Sequence, residues 1–201
     1  KSLEIRKKTL PANHPDLAQS YNNIGSVYYN MGEYSKALEY YEKSLDISKK
    51  GLPANHPLLA TSYNNIGLVY YSMGEYSKAL EYYEKSLEIM KKTLPADHPD
   101  LATSYNNIGM VYRSMGDYSK ALEYYEKSLE IRKKTLSANH PDFAQSYNNI
   151  GLVYYSMGKY PKAIEYLERA LDIYQRSLPP NHPNIINVKE SIETVKRKLK
   201  V

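Results

Sequence analysis

The chain has 201 residues, 42% of them hydrophobic, which is enough for one or two domains with a sizeable core. Its net charge of +5 suits acidic peptide or protein partners and is too small to argue for nucleic acid. Without cysteine it has no disulfides or thiolate metal sites, and no apolar run approaches the roughly 18 residues of a bilayer span. No signal-peptide pattern is present, so a cytoplasmic protein with no membrane attachment is expected. The aromatic content is 23 Tyr, one Phe and no Trp. Tyrosine buries its ring while its hydroxyl reaches a polar partner, which suits an elongated body with thin cores.

In chain order, residues 1–10 (KSLEIRKKTL) are identical to residues 127–136, so the sequence starts inside a repeated unit. It reads as a piece of something longer, with 1–10 the remnant of a second helix. Gly25, Gly67, Gly109 and Gly151 then recur every 42 residues, as do His14, His56, His98, His140 and His182. A fixed period of this size signals units that bury their faces only against neighbours. The units are expected at 15–52, 57–94, 99–136 and 141–178.

Each unit reads as two helices. In the first, Leu17, Tyr21, Ile24, Tyr28 and Met31 form one apolar stripe at helical spacing. Gly32 supplies the left-handed position that ends the helix. Tyr34, Leu38, Tyr41, Leu45 and Ser48, with Ala37 beside them, form the second stripe. Glu39 sits four residues before Lys43, and the pairing recurs as Glu81–Lys85, Glu123–Lys127 and Glu165–Arg169. The Lys-Lys pair that closes the helix suits its dipole. The connector LPANHP then puts a proline at the first position of the next helix, where a missing N–H is harmless. Residues 183–201 keep the His-Pro start but replace the Asn pair, the Gly and the Tyr positions with charge, as a terminal capping helix should. Strand readings fail for want of period-2 alternation and β-branched content. The expected class is all-α, an array of antiparallel helix pairs.

Within each pair the spacing is Tyr–x2–Ile–Gly–x2–Tyr, then x3–Gly–x–Tyr–x2–Ala–x3–Tyr. In the first copy these are Tyr21, Ile24, Gly25, Tyr28, Gly32, Tyr34, Ala37 and Tyr41. This resembles the tetratricopeptide repeat, with Tyr in the large-aromatic positions. The longer unit and the segments NHPDLAQSYNNIG, NHPLLATSYNNIG, DHPDLATSYNNIG and NHPDFAQSYNNIG resemble the repeat domain of kinesin light chains. The resemblance implies a right-handed α-solenoid of antiparallel helix pairs, a superhelix whose first helices line the concave face. The near-identity of the copies is that of a recent duplication or of a consensus-like module.

The Asn pairs carry the candidate site: Asn22-Asn23, Asn64-Asn65, Asn106-Asn107 and Asn148-Asn149. Asparagine is a poor residue for a helix interior, so keeping eight of them costs stability. Resemblance to tetratricopeptide proteins of the glycosyltransferase type implies that the second Asn of each pair, Asn23, Asn65, Asn107 and Asn149, contacts a peptide backbone. The competing reading is that one Asn of each pair bonds to the neighbouring repeat and binds no ligand. Further groove positions read Ser26, Leu68, Met110 and Leu152, then Tyr29, Tyr71, Arg113 and Tyr155. They vary between otherwise nearly identical copies, as side-chain selection or neutral drift would make them. Arg113, the one cation in its row, would pair with an acidic ligand residue. Family members that clamp a C-terminal carboxylate carry Asn directly after the Gly. This chain does not, which argues against that ligand.

The histidines lie one per repeat, on the order of 10 Å apart, whereas zinc needs ligands about 2 Å from one ion. Helix capping or linker packing is therefore expected of them, and no metal. No catalytic set or phosphate loop is present, so neither an enzyme nor a cofactor is expected. The leading expectation is a scaffold holding an extended or short helical, acidic protein segment in its groove. A structural spacer that associates end to end is the alternative, and a nucleic-acid partner is not expected.

Overall fold

The computed structural model describes residues 2–137 and 139–200 and holds ten α-helices among them. They are α1 (Ser2–Thr9), α2 (Pro15–Asn30), α3 (Tyr34–Gly51), α4 (Pro57–Ser72), α5 (Tyr76–Thr93), α6 (Pro99–Ser114), α7 (Tyr118–Thr135), α8 (Pro141–Ser156), α9 (Tyr160–Ser177) and α10 (Pro183–Leu199). Lys1 and Val201, the ends of the expected remnant and capping helix, and Ala138 in a connector lie outside the described residues. The helices pack as consecutive antiparallel pairs. The chain divides into two compact units, Lys1–Pro95 (unit 1, α1–α5) and Ala96–Val201 (unit 2, α6–α10).

Local chemistry sets the helix ends. Each first helix has Pro at its start and a histidine N-cap. Nδ1 of His14, His56, His98, His140 and His182 accepts the backbone N–H two residues on, at 3.1–3.2 Å. Accepting at Nδ1 requires the ring proton to sit on Nε2, so imidazole does here what Ser or Asp does at most caps. At the far end, Gly32 has φ +76°, and its N–H and that of Glu33 donate to Tyr29 O and Tyr28 O at 2.9 Å. This left-handed closure turns the chain into the second helix.

Within a pair, the helices touch where side chains are small. A Cβ on Gly67 would lie 2.9 Å from Tyr83 Cδ1, so only glycine lets α4 and α5 approach this closely. Ser44 and Ser86 add buried ties, their Oγ donating to Ala18 O and Ala60 O at 2.8 Å. In unit 2, Ser128 Oγ donates to Ala102 O at 2.7 Å.

Each unit is layered pair on pair. In unit 1, Ala37, Tyr41 and Leu45 of α3 form one core with Leu59, Ala60, Ile66 and Val69 of α4 and Ile89 of α5. In unit 2, Ile150 and Val153 of α8 and Leu167 of α9 are fully buried. The α10 helix buries Ile185, Val188, Ile192 and Val195, one stripe at steps of three and four. Full burial of an aliphatic side chain contributes about 1.5–3 kcal/mol, so these rows carry most of the cohesion of a unit.

One part of the expected stripe is different. Met31 is the C-cap of α2 and is 62% exposed. The inward residue of that turn is the valine four positions earlier, and Val69, Val111 and Val153 are all fully buried. In α2 the matching Val27 is 57% exposed, because α1 meets only the first turns of α2, through Asp16 and Ser20.

Candidate segment-binding face

In unit 1, α2 and α4 lie close enough for their side chains to bond across the repeat boundary. Asn65 Nδ2 donates to Asn22 Oδ1 at 2.8 Å, and the Tyr29 hydroxyl is 2.9 Å from Ser72 Oγ. Unit 2 repeats the amide contact between α6 and α8, Asn149 Nδ2 donating to Asn106 Oδ1 at 2.8 Å. The donor is in each case the second Asn of its pair and the acceptor is the first Asn of the preceding repeat. A carboxamide offers two N–H donors and an oxygen with two lone pairs. One such bond thus orients both groups and leaves most of their capacity unused. Asn23 differs: it is exposed and accepts from Gln19 Nε2 at 3.1 Å on its own helix. Asn64, Asn107 and Asn148 are half-buried.

The other candidate residues sit on the same helices. Leu68 and Tyr71 are half-buried on α4, Met110 and Arg113 on α6, and Leu152 and Tyr155 on α8. Three of the tyrosines are braced by a second-helix ring, Tyr29 by Tyr34 (centroids 5.6 Å apart), Tyr71 by Tyr76 (5.5 Å) and Tyr155 by Tyr160 (5.9 Å).

Beneath this layer the copies differ in ways sequence reasoning missed. The Tyr41 hydroxyl donates to Ser26 Oγ at 3.1 Å. In the next repeat Leu68 replaces Ser26, and the buried Tyr83 hydroxyl has no hydrogen-bond partner among the described residues. Burial pushes the pKa of both phenols up, Tyr83 far above the usual value.

The boundaries between pairs differ as well. At α1–α2, Arg6 Nη1 donates to Asp16 O (2.9 Å) and Ser20 Oγ (2.7 Å). At α7–α8, Arg132 Nη1 does the same to Asp142 O (2.7 Å) and Ser146 Oγ (2.8 Å). Burial pulls the Arg132 guanidinium below its usual pKa, and Asp142 opposes that shift. At α3–α4 the matching residue is Ser48, whose buried Oγ has no hydrogen-bond partner among the described residues. The sequence does carry a signal: this register position reads Arg6, Ser48, Met90, Arg132 and Tyr174 while its surroundings stay nearly constant.

The histidines are the N-caps described above, and among the described residues no group of three His, Cys, Asp or Glu is placed to hold a metal ion. Nor, among these residues, is any helix long and apolar enough to cross a membrane.

Helix pairs opened by His-Pro, closed by a left-handed Gly and stacked through small residues define an α-helical repeat scaffold. This chain belongs to the tetratricopeptide repeat family, whose profile matches residues 1–50, 58–134, 100–176 and 142–199. Such domains are in general protein–protein interaction modules and typically non-catalytic. No curated protein matches the sequence. Among solved structures, the chain is similar to a kinesin light chain assignment from Podosopora anserina with nearly identical TPR-like repeats. That match has 26% identity and TM-score 0.79, and covers 93% of this chain and 89% of the other. BtubC (BKLC) from P. vanneervenii has the same fold at 23% identity and TM-score 0.80, covering 92% of this chain and 74% of that one. Apo RapI does so at 22% identity and TM-score 0.78, over 91% and 64%.

Proposed function

We propose that in each unit the face carrying the Asn pairs holds a protein segment, extended or in a short helix and bearing acidic residues. The amides of Asn22, Asn65, Asn106 and Asn149 address its backbone. Leu68, Met110 and Leu152, with Tyr29, Tyr71, Arg113 and Tyr155, select its side chains. The observation that carries this reading is the pairing of Asn65 with Asn22 and of Asn149 with Asn106. It holds poor helix formers in fixed orientation with donors and acceptors to spare, and neutral amides bind a backbone without reading its sequence. The net charge of +5 favours an acidic partner.

The same bonds favour a second reading, in which the amides serve inter-repeat packing and the array is a spacer or a self-associating module. One titration separates the two. A pool of fluorescent acidic-aromatic peptides is added to the wild type and to Asn65→Ala/Asn149→Ala, with circular dichroism confirming that both are folded. Binding by the wild type that the variant loses supports the segment-binding face. Equal binding, or none, leaves packing as the role of the asparagines. Light scattering that rises with concentration would then support self-association.

A further inference from the structure

The α3–α4 boundary contains a small pocket that neither the family nor the proposed segment-binding face accounts for. It is lined by Ala18, Gln19 and Asn22 of α2, Ser44 and Ser48 of α3, and Leu58, Thr61 and Ser62 of α4. Its interior volume is about 10 Å³, room for about one water molecule. Ser48, 1% exposed, lines it, and its hydroxyl has no hydrogen-bond partner among the described residues. A buried hydroxyl left unpaired is unfavourable, so such a group calls for an occupant.

The chain itself shows what this position does elsewhere. In the repeat register Ser48, Leu58 and Ser62 match Arg132, Asp142 and Ser146. At α7–α8 the Arg132 guanidinium lies across the boundary and bonds to the other two residues. At α3–α4 both charges are gone together, Arg replaced by Ser and Asp by Leu58. The pocket lining has no carboxylate to hold a cation, and the first turn of α4 presents the positive end of a helix dipole, which disfavours one. An apolar occupant would leave Ser48 unpaired. One neutral group that both donates and accepts fits the volume and the lining.

We propose that this pocket is a binding site for a single neutral hydroxyl-sized group, bridging Ser48 to the α4 residues that match the Arg132 acceptors. Water fills it in the free protein. The exposed residues at its rim, Gln19 and Thr61, leave it open to exchange with an alcohol group from outside. The site would stand whether or not the asparagine face binds a segment.

The test uses the whole chain and a variant the protein has already sanctioned. Ser48→Arg/Leu58→Asp copies the α7–α8 boundary into α3–α4 and should fold and fill the pocket. Water-to-amide magnetization transfer is read by NMR at residues 48, 58, 61 and 62, with and without methanol as the alcohol probe. A long-lived water at these amides in the wild type, lost in the double variant, supports the site. If methanol then shifts the same amides in the wild type and not in the variant, the site is open to an alcohol side chain. If methanol shifts neither, water is its only occupant. No bound water and no methanol shift in the wild type, or equal signals in both proteins, overturns the proposal. The reverse exchange, Arg132→Ser/Asp142→Leu, should create a second such site at residues 142–146. Its failure to do so in a folded protein would also count against it.

Discussion

Units 1 and 2 are built from nearly the same sentence, yet they treat buried polar groups differently. In unit 1, Ser48 and Tyr83 carry buried hydroxyls without hydrogen-bond partners among the described residues. In unit 2 the positions matching Ser48 are Arg132, tied to Asp142 O and Ser146 Oγ, and Tyr174, and those matching Tyr83 are Tyr125 and Leu167, the last with no polar atom to satisfy. At α7–α8 the polar contact is thus completed, and at α8–α9 the hydroxyl is removed. The contrast teaches that in a repeat protein the shared residues define the unit, while a few register positions set how firmly neighbours join. On this basis α7–α8 and α8–α9 should open less readily than α3–α4 and α4–α5.

The sharpest way to break the contrast is Arg132→Ser. It strands the acceptors at α7–α8 and leaves a gap, and should lower local stability by about 2–3 kcal/mol. Native-state hydrogen exchange of α7 and α8 amides is the suitable readout, because a stack of repeats need not unfold as one unit. Unchanged protection would mean that the guanidinium is not a tie. Next in size is a pair with opposite signs. Tyr83→Phe removes an unpaired buried hydroxyl and should stabilise unit 1 by about 1–2 kcal/mol, whereas Tyr41→Phe breaks the bond to Ser26 and should cost about 0.5–1.5 kcal/mol. Denaturant melts of the two variants showing the same sign would refute the assignment of partners.

Alkali gives a gentler handle. The folded pKa of Tyr83 lies above its unfolded value of about 10. The neutral phenol therefore contributes fully below about pH 10, and that contribution is lost as pH rises through the folded value. Tyr166 and Tyr174 in unit 2 are raised in the same direction, also by burial. Stability should fall above about pH 10, and Tyr83→Phe should flatten the fall in unit 1. A curve that is the same with and without Tyr83 would remove the phenol from the account. The smallest effect is expected from the helical ion pairs. Glu81→Gln and Glu165→Gln break exposed contacts to Lys85 and Arg169, and each should change stability by under about 0.5 kcal/mol in either unit. A larger loss would show that surface charge, rather than buried polarity, distinguishes the units.

The sequence by itself determined the all-α class, the period, the helix pairs and their punctuation. These depend on local rules: a stripe at steps of three and four, a proline without an N–H to lose, a glycine free to take positive φ. Each rule acts within a few residues, so the chain spells it out, and the Glu39–Lys43 pair and its repeats appear where their spacing puts them. Only the tertiary structure decided which neighbours those helices meet. Met31 fits the helical stripe in sequence, but the turn carries it outward, and the full burial goes to Val69, Val111 and Val153 instead. The asparagines are conspicuous in sequence, yet that Asn65 bonds to Asn22 is a contact between residues 43 apart, set by the stacking of α2 beside α4. Ser48 and Tyr83 look ordinary in the chain. The first lacks a partner because its side chain is too short to reach Leu58 O and Ser62 Oγ, which match the acceptors of Arg132, and the second because Leu68 stands where another copy carries Ser26; only packing brings those residues together.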